Sequence, residues 1–245
     1  MDFKKDAYGQ EVLAFFNGEY SYEIVERDDG WIALSEGAPA YFAAFKDWPK
    51  IQKLAIKFAK GKVLDVGAGA GRVSLYLQKM GLKVMAMDNS PLAIKVCKKR
   101  GVKQAKILPI EKIRIFKPNT VDTIVMFGNN FGLFSNFKKA KFLLKTLHKI
   151  TSSNALILAE SNNIYETNEP AHLSYHKLNK KRGKLPGQLK IRIRFKKFMS
   201  DWFDYLLVSQ KEMKKILKDT GWRVKKFINS GKAAYIAIIE KEYVN

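Results

Sequence analysis

The sequence predicts an α/β fold with a mostly parallel, doubly wound sheet, and three observations support this prediction. From Lys62 onward, short apolar runs of strand length alternate with amphipathic stretches of helix length. The first of these strands leads into a glycine-rich turn that opens a helix. The chain has 245 residues, of which 47% are apolar, and this is enough for one sizeable core.

The first 60 residues precede this alternation, and we interpret them as an N-terminal cap. Apolar spacing predicts a helix over Asp2–Phe16. Two β-prone runs, Tyr20–Arg27 and Trp31–Leu34, flank an Asp-Gly turn and therefore predict a hairpin. Prolines in their first turns predict two further helices, over Pro39–Asp47 and Pro49–Lys60.

The alternating part predicts five strands and the helices between them. The strands are Val63–Val66, Lys83–Met87, Gln104–Leu108, Thr120–Phe127 and Ala155–Glu160, and the helices are Arg72–Met80, Pro91–Arg100 and Asn136–Ile150. Buried strands with helices on both sides indicate a parallel sheet.

The C-terminal part predicts one more helix and a closing hairpin. Ser209 and Glu212 have the spacing of a capping box, so we expect a helix over Ser209–Thr220 that stops at Gly221. The runs Trp222–Asn229 and Ala233–Glu240, joined by a Ser-Gly turn, then form a hairpin at the sheet edge. The sheet therefore ends in antiparallel strands.

Residues 161–208 do not fit the alternating scheme. Apolar and basic residues alternate over Leu189–Lys196, which predicts a strand with one apolar and one cationic face, paired with Asp201–Val208. This hairpin follows the fifth strand, at the edge where open α/β sheets bind ligands. We therefore predict three parts: a cap over 1–60, a cofactor-binding domain over 61–160 and 209–245, and an inserted basic β-hairpin lid over 161–208.

Charge and cysteine content limit the function classes. The chain has 45 Lys and Arg against 23 Asp and Glu, a formal charge of +22, and ten basic residues without an acid over Lys177–Lys197. That run is either a solvated surface or an attractor of phosphates or of an anionic substrate. The single Cys97 excludes an internal disulfide, and no apolar run has membrane-spanning length. We expect a cytoplasmic protein without a membrane partner.

The glycine-rich turn limits the chemistry of the ligand. The glycines of Gly67–Gly71 let the backbone turn tightly and approach a ligand. A dinucleotide fingerprint would have its third glycine at position 72, which is Arg72. Asp65 precedes the turn, where a carboxylate would repel a pyrophosphate and attract a cation. Asp88 ends the next strand, 21 residues after Gly67, at the spacing of a ribose-binding carboxylate.

Two segments of the chain resemble motifs of the class I S-adenosylmethionine-dependent methyltransferases. They are Asp65-x-Gly67-x-Gly69-x-Gly71, and Val84–Asp88 followed by Asn89-Ser90-Pro91. The resemblance covers roughly residues 60–160 and 209–240, and it implies a Rossmann-like methyltransferase fold with S-adenosylmethionine as cofactor. The implied cofactor-binding residues are Asp65, Gly67, Ala68, Gly69, Gly71, Asp88, Asn89, Ile110, Glu111, Gly128 and Asn129.

The resemblance also implies roles for these residues. Asp65 and the glycines would hold the methionine end, Asp88 both ribose hydroxyls, and Asn89 the adenine. Ile110 and Glu111 would lie beside the adenine, although the family commonly has an Asp-x-acidic stretch there. The segment Phe127–Gly132 is not the Asn/Asp-Pro-Pro-Tyr of nucleobase methyltransferases and is similar to the Gly-Asn segment of small-molecule enzymes.

Other polar residues extend the predicted site. Asn129 and Asn130 either border the sulfonium or cap a turn. His172 and His176 are four residues apart, which on a helix places them on one face and allows a proton relay, a metal site or plain packing. We choose His176 as the catalytic base and predict no metal site. The predicted substrate-pocket residues are Asn130, His172, Tyr175, Arg192 and Arg194.

Three functions are compatible with these observations. The first is methyl transfer to a small molecule, which is the acceptor class that we expect. The second is methylation of RNA, with Lys177–Lys197 as the phosphate contact. The third is a basic binding module that has the fold without catalysis. The sequence leaves the acceptor and the oligomeric state undetermined.

Overall fold

The computed structural model of the chain describes residues 3–35 and 37–242. Asp2, at which the N-terminal helix was expected to begin, lies outside the described residues, as do Met1, Glu36 and the last three residues of the predicted cofactor-binding domain.

The described residues form the α-helices α1 (Ala7–Phe16), α2 (Ala38–Phe42), α3 (Lys50–Ala55), α4 (Arg72–Lys79), α5 (Pro91–Lys99), α6 (Phe137–Ile150), α7 (Pro170–Lys181) and α8 (Gln210–Leu217). Helices α4, α5, α6 and α8 lie close to their predicted positions, whereas α7 was not predicted. The capping box is present at α8, because the Ser209 hydroxyl and the Glu212 carboxylate each accept a hydrogen bond from the other residue's backbone amide. Asn136 likewise caps α6, since its side chain accepts from the Lys139 amide.

The strands belong to two sheets. They are β1 (Glu23–Arg27), β2 (Ile32–Ser35), β3 (Lys62–Val66), β4 (Lys83–Asp88), β5 (Ala105–Ile107), β6 (Val121–Met126), β7 (Thr151–Asn162), β8 (Gln188–Phe195), β9 (Phe198–Met199), β10 (Phe203–Leu206), β11 (Trp222–Asn229) and β12 (Ala234–Lys241).

The larger sheet has the order β11-β12-β7-β6-β3-β4-β5. Strand β6 is parallel to β7, and β4 is parallel to β5, whereas β12 is antiparallel to both β7 and β11. The larger sheet thus contains parallel pairs and ends in an antiparallel hairpin, as the sequence predicts. The predicted α/β class is therefore confirmed.

The smaller sheet has the order β10-β8-β1-β2, with β9 paired to β8. The sequence predicts that β8 lies beside β10, but it does not predict the pairing of β8 with β1. Strands β1 and β8 are antiparallel: Ile24 pairs with Arg194, and Arg27 pairs with Ile191. The N-terminal hairpin and the inserted strand thus form one sheet.

The predicted helices over Pro39–Asp47 and Pro49–Lys60 are shorter in the structure. Helix α2 ends at Phe42, and a separate 3₁₀ turn covers Phe45–Asp47. The Phe45 ring stacks on Tyr76 with ring centres 4.2 Å apart. The proline signals predict where a helix begins but not this break between α2 and the 3₁₀ turn. The break coincides with the tertiary packing of the Phe45 ring.

The chain divides into two compact units. One contains the described residues of Met1–Trp48, with Asp65–Pro109 and Lys190–Phe203; the other contains Pro49–Leu64, Ile110–Leu189 and the described residues of Asp204–Asn245. In the first unit, Val12 of α1 packs with Ala70, Ala93 and Val96. In the second, the buried indole of Trp222 donates to the Leu144 carbonyl. The three predicted domains have other boundaries and stay predictions.

Candidate active site

The glycine turn between β3 and α4 has the backbone conformation that its sequence requires. Gly67, Gly69 and Gly71 have φ angles of +70°, +55° and +80°, a region that favours glycine. The amides of Gly67 and Ala68 both donate to the Met87 carbonyl at the end of β4, at 2.9 and 3.0 Å. The turn is therefore held against β4.

Asp65 lies on β3, just before this turn, and its side chain is buried. The Ser74 hydroxyl on α4 donates to its carboxylate at 2.7 Å. Burial raises the pKa of Asp65 to about 6, although this hydrogen bond and the nearby Arg72 favour the charged form. A cation at this carboxylate would stabilise its ionised state.

Asp88 lies at the end of β4 and connects it to the glycine turn. One carboxylate oxygen accepts from the Gly69 amide and the other from the Ser90 amide, both at 2.9 Å. Burial raises the pKa of Asp88 to about 6, against the effect of these two hydrogen bonds. The adjacent Asn89 is exposed. The structure thus brings Asp88, the predicted ribose-binding carboxylate, into direct contact with the predicted glycine loop.

The N-terminal helix α1 also contacts this turn, which the sequence analysis did not predict. Asp6 caps α1, and the same carboxylate accepts from the Ser90 hydroxyl at 2.9 Å and the Leu92 amide at 3.2 Å. The Tyr8 hydroxyl lies so close to Gly69 that a Cβ there would collide with it. No local sequence signal links these segments, because they are separated by more than sixty residues.

A second group of predicted residues follows β6. Gly128 and Asn129 have φ angles of +69° and +62°. The Gly128 amide donates to the Glu160 carboxylate at 2.7 Å, and the Tyr205 hydroxyl donates to the Asn129 carbonyl at 2.7 Å. Glu160 and Tyr205 were not among the predicted site residues. Asn129 is the N-cap residue of the 3₁₀ turn over Asn130–Phe134, but its side chain makes no capping hydrogen bond.

Ile110 and Glu111 begin a 3₁₀ helix that extends to Ile115. Ile110 is buried, whereas Glu111 is exposed and forms an ion pair with Lys139 on α6 at 2.5 Å. Both residues stay predicted neighbours of the adenine.

The histidine pair lies on α7, so its four-residue spacing places both side chains on one face of a helix. His172 and His176 are half-buried and Tyr175 is buried. The His176 ring is in edge contact with Tyr165, whose hydroxyl donates to Glu212 at 2.9 Å. The role of His176 as a base stays a prediction.

The basic face of β8 is partly neutralised. Arg192 binds Glu26 on β1 through two hydrogen bonds of 2.9 and 2.7 Å, and Arg194 contacts the same carboxylate at 3.3 Å. Lys196 pairs with Glu19 at 2.7 Å. The Arg192 guanidinium also stacks over the Trp202 ring, 4.5 Å from its centre. Acids of the N-terminal segment thus bind cations of the predicted lid.

Within residues 3–35 and 37–242, no helix has the length and apolar character that crossing a membrane requires. No group of three or more His, Cys, Asp or Glu side chains there is arranged to hold a metal ion.

Comparisons with solved structures define the fold. A SAM-dependent methyltransferase from Bacteroides fragilis, in complex with S-adenosyl-L-homocysteine, is similar over 99% of this chain and 98% of its own, with TM-score 0.83 and 24% identity. A SAM-dependent methyltransferase from Methanosarcina mazei covers 75% of this chain and 93% of its own, with TM-score 0.60 and 17% identity. At these identities the likeness establishes a Rossmann-like methyltransferase fold.

Sequence comparison identifies a domain within this fold. Residues 64–159, which include the glycine turn and Asp88, match the family model described as a methyltransferase domain. Comparison with curated proteins gives no match. Residues 64–159 are therefore a methyltransferase domain, and the described chain has the fold of S-adenosylmethionine-dependent methyltransferases.

Proposed function

We propose that this methyltransferase transfers a methyl group from S-adenosylmethionine to a small-molecule acceptor. One observation carries the cofactor assignment. The Asp88 carboxylate accepts a hydrogen bond from the Gly69 amide, so the carboxylate expected to bind ribose lies directly against the glycine turn. The bound cofactor supplies an electrophilic methyl group on a sulfonium, and the acceptor's lone pair attacks it. For such a displacement the protein contributes mainly position and exclusion of water.

The residues of the turn suit this cofactor. The three positive-φ glycines leave the backbone accessible to a ligand. Asp65 offers a buried carboxylate to the cationic methionine end, and Asp88 offers carboxylate oxygens to the ribose hydroxyls. Both carboxyls have a raised pKa because they are buried, so hydrogen-bond donors and positive charge from a ligand would stabilise their ionised forms.

The ion pairs of β8 favour a small acceptor over RNA. Arg192 and Arg194 share the Glu26 carboxylate, and the pKa of Glu26 is lowered, first by the Arg192 hydrogen bond, so it stays charged at neutral pH. An RNA phosphate would have to compete with this carboxylate for both guanidinium groups. The run Lys177–Lys197 therefore offers less free positive charge than its composition implies.

The cofactor assignment is tested by calorimetry with S-adenosylhomocysteine. We expect Asp88→Asn to weaken binding by about 10- to 100-fold, because one charged acceptor of the ribose hydroxyls is lost. Asp28→Asn, at the exposed turn of the N-terminal hairpin, is the matched control and should bind normally. A wild-type protein that does not bind, or binding indifferent to Asp88, would refute the assignment and favour a non-catalytic module.

The acceptor class is tested with labelled methyl groups. The protein is incubated with methyl-labelled S-adenosylmethionine and either a cell extract filtered to small molecules or purified total RNA. We expect label in the small-molecule fraction and weak RNA binding with little salt dependence. Label in RNA, together with an affinity that falls steeply with salt, would support the RNA alternative instead.

A further inference from the structure

Strand β2 forms one edge of the smaller sheet and exposes two apolar side chains there. Among the described strands, the order β10-β8-β1-β2 pairs β2 with β1 alone. Ile32 and Leu34, on either side of the half-buried Ala33, are 55% and 74% exposed. An exposed apolar edge strand favours pairing with a further strand.

The backbone of β2 also directs hydrogen-bonding groups away from β1. The Arg27 amide donates to the Trp31 carbonyl at 2.8 Å, which fixes the alternation of this antiparallel ladder. The amides and carbonyls of Trp31 and Ala33 therefore face β1. Those of Ile32 and Leu34 point to the open edge, where a row of donors and acceptors is a template for another strand.

The other sheet edges of the described chain have features that oppose such pairing. Strand β11 contains a β-bulge and exposes Lys225 and Lys226. Strand β5 exposes Lys106 at its middle position, and β10 exposes Asp204. Charges and bulges are devices with which proteins keep strand edges unpaired. By contrast, Ile32–Ser35 has no charged residue and no proline, and its register with β1 is uninterrupted.

The sequence of β2 is complementary to itself. In an antiparallel pair of two copies centred on Ala33, Ile32 of each copy lies opposite Leu34 of the other. The backbone groups of both residues point outward, so each such pair exchanges both of its hydrogen bonds. The exposed Ile32 and Leu34 side chains then lie on the same face of the joined sheet and cover each other. A twofold interface uses the same patch on both copies, which this strand provides.

Charge also favours a second copy at this edge. The whole chain has 45 Lys and Arg against 23 Asp and Glu, so two copies repel each other in general. Residues 1–60, which include β2, instead have ten acids against eight bases. On β1 and β8, Arg27 binds Asp29 and Arg192 binds Glu26. Repulsion between copies is therefore smallest where the exposed strand lies.

We propose that β2 pairs in antiparallel register with β2 of a second copy of this chain, about a twofold axis at Ala33, and thereby joins two smaller sheets into one. The inference is independent of the proposed function, because β2 includes none of the predicted site residues. The paired strands are short, so the interface belongs to the smallest class of specific interfaces and the dimer dissociates with a Kd of about 10–100 µM.

Sedimentation equilibrium of the full chain measures this association. We expect the wild type to be mainly dimeric at about 500 µM and monomeric at about 1 µM. Leu34→Lys should weaken the association at least about tenfold, because the twofold axis places the new charge in the interface twice. Leu34 is exposed in the single chain, so this variant should fold normally, and circular dichroism checks that it does.

Ile107→Lys is the matched control. Ile107 lies on β5, the edge strand of the larger sheet, and is 52% exposed, so the same substitution is made at a comparable position outside the proposed interface. This variant should associate like the wild type. If it loses as much association as Leu34→Lys, the loss is a general effect of added charge and the inference is overturned.

Cysteine substitutions test the register. Ala33→Cys places two thiols opposite each other at a non-hydrogen-bonded pair, with Cα atoms about 4.5 Å apart, a distance that a disulfide spans. Leu34→Cys places its thiols diagonally, with Cα atoms more than about 7 Å apart, although this position is more exposed. Under oxidising conditions we expect a covalent dimer from Ala33→Cys and little from Leu34→Cys. The native Cys97 is buried, so the wild type should form none.

Each contrary result decides against the pairing. A wild type that stays monomeric at about 500 µM overturns the inference and leaves the edge to an extended segment of a different protein. A dimer that Leu34→Lys does not weaken, or that Ala33→Cys does not link, also overturns it, because the copies then associate through another surface. None of these results bears on the cofactor assignment, which calorimetry with S-adenosylhomocysteine decides.

Discussion

Glu11 on α1 offers a sensitive test of how burial controls a charge in this protein. Its side chain is fully buried, and one carboxylate oxygen accepts from the Ala38 amide at 2.7 Å. The other oxygen has no hydrogen-bond partner among the described residues. Burial raises the pKa of Glu11 from 4.5 to about 7, against the effect of the Ala38 amide. We therefore consider Glu11→Gln, which keeps the shape and removes the charge.

The size of the effect follows from linkage. A carboxyl whose folded-state pKa is raised contributes its full stability below the unfolded value of 4.5, and this stability is lost as pH rises through about 7. A difference of about 2.5 pH units corresponds to about 3 kcal/mol. We therefore expect Glu11→Gln to be more stable than the wild type by up to about 3 kcal/mol at pH 8, and by less than about 1 kcal/mol at pH 5.

Urea unfolding at pH 5 and pH 8 measures this difference. The comparison with the variant cancels carboxyls that do not interact with Glu11; Glu23, whose charge contributes to the raised pKa of Glu11, is part of the measured effect. Glu166→Gln, which makes the same substitution at an exposed glutamate, is the control. If Glu11→Gln has the same stability difference from the wild type at both pH values, Glu11 has an ordinary pKa and the reasoning is wrong.

Two further predictions concern the glycine turn. Gly69→Ala should abolish measurable binding of S-adenosylhomocysteine. The φ of +55° at this position disfavours a side chain, and the new Cβ would collide with the Tyr8 hydroxyl. Binding within tenfold of the wild type would contradict this prediction. Cofactor binding at pH 6 should release protons, because ligand cations and donors stabilise the ionised forms of Asp65 and Asp88, each with a pKa of about 6. Calorimetry in buffers of different ionisation enthalpy measures the release, and identical apparent enthalpies would contradict it.

Most of the fold was predictable from the sequence because its signals are local. The alternation of apolar runs and amphipathic stretches located α4, predicted over Arg72–Met80 and observed over Arg72–Lys79. The capping box at Ser209 and the closing hairpin are equally local, and both are present. A helix cap or a strand needs only residues within a few positions of each other, so the printed order of residues is sufficient evidence.

The candidate site was only partly predictable. The glycine turn and Asp88 were located by their spacing, and the structure joins them. Glu160 and Tyr205 were not predicted, because a lone glutamate at a strand end and a tyrosine in an aromatic cluster carry no distinctive pattern. Their importance arises from contacts with residues 32 and 76 positions away along the chain.

The charge of the insertion shows the same limit. The sequence established ten cations without an acid over Lys177–Lys197, a property of composition. It did not establish that Glu26, 166 residues before Arg192, would bind two of them. That pairing depends on the register of β1 against β8, which only tertiary structure determines.

The sequence by itself therefore determined the fold class, the family resemblance and the cofactor motifs, because periodicity, capping and glycine spacing act over short stretches of chain. The tertiary structure decided which charges are neutralised, which carboxyls are buried, and which side chains hold the turn after β6. The physical reason is that burial and electrostatic pairing depend on distances in space, and elements far apart in the chain, such as β1 and β8, set those distances.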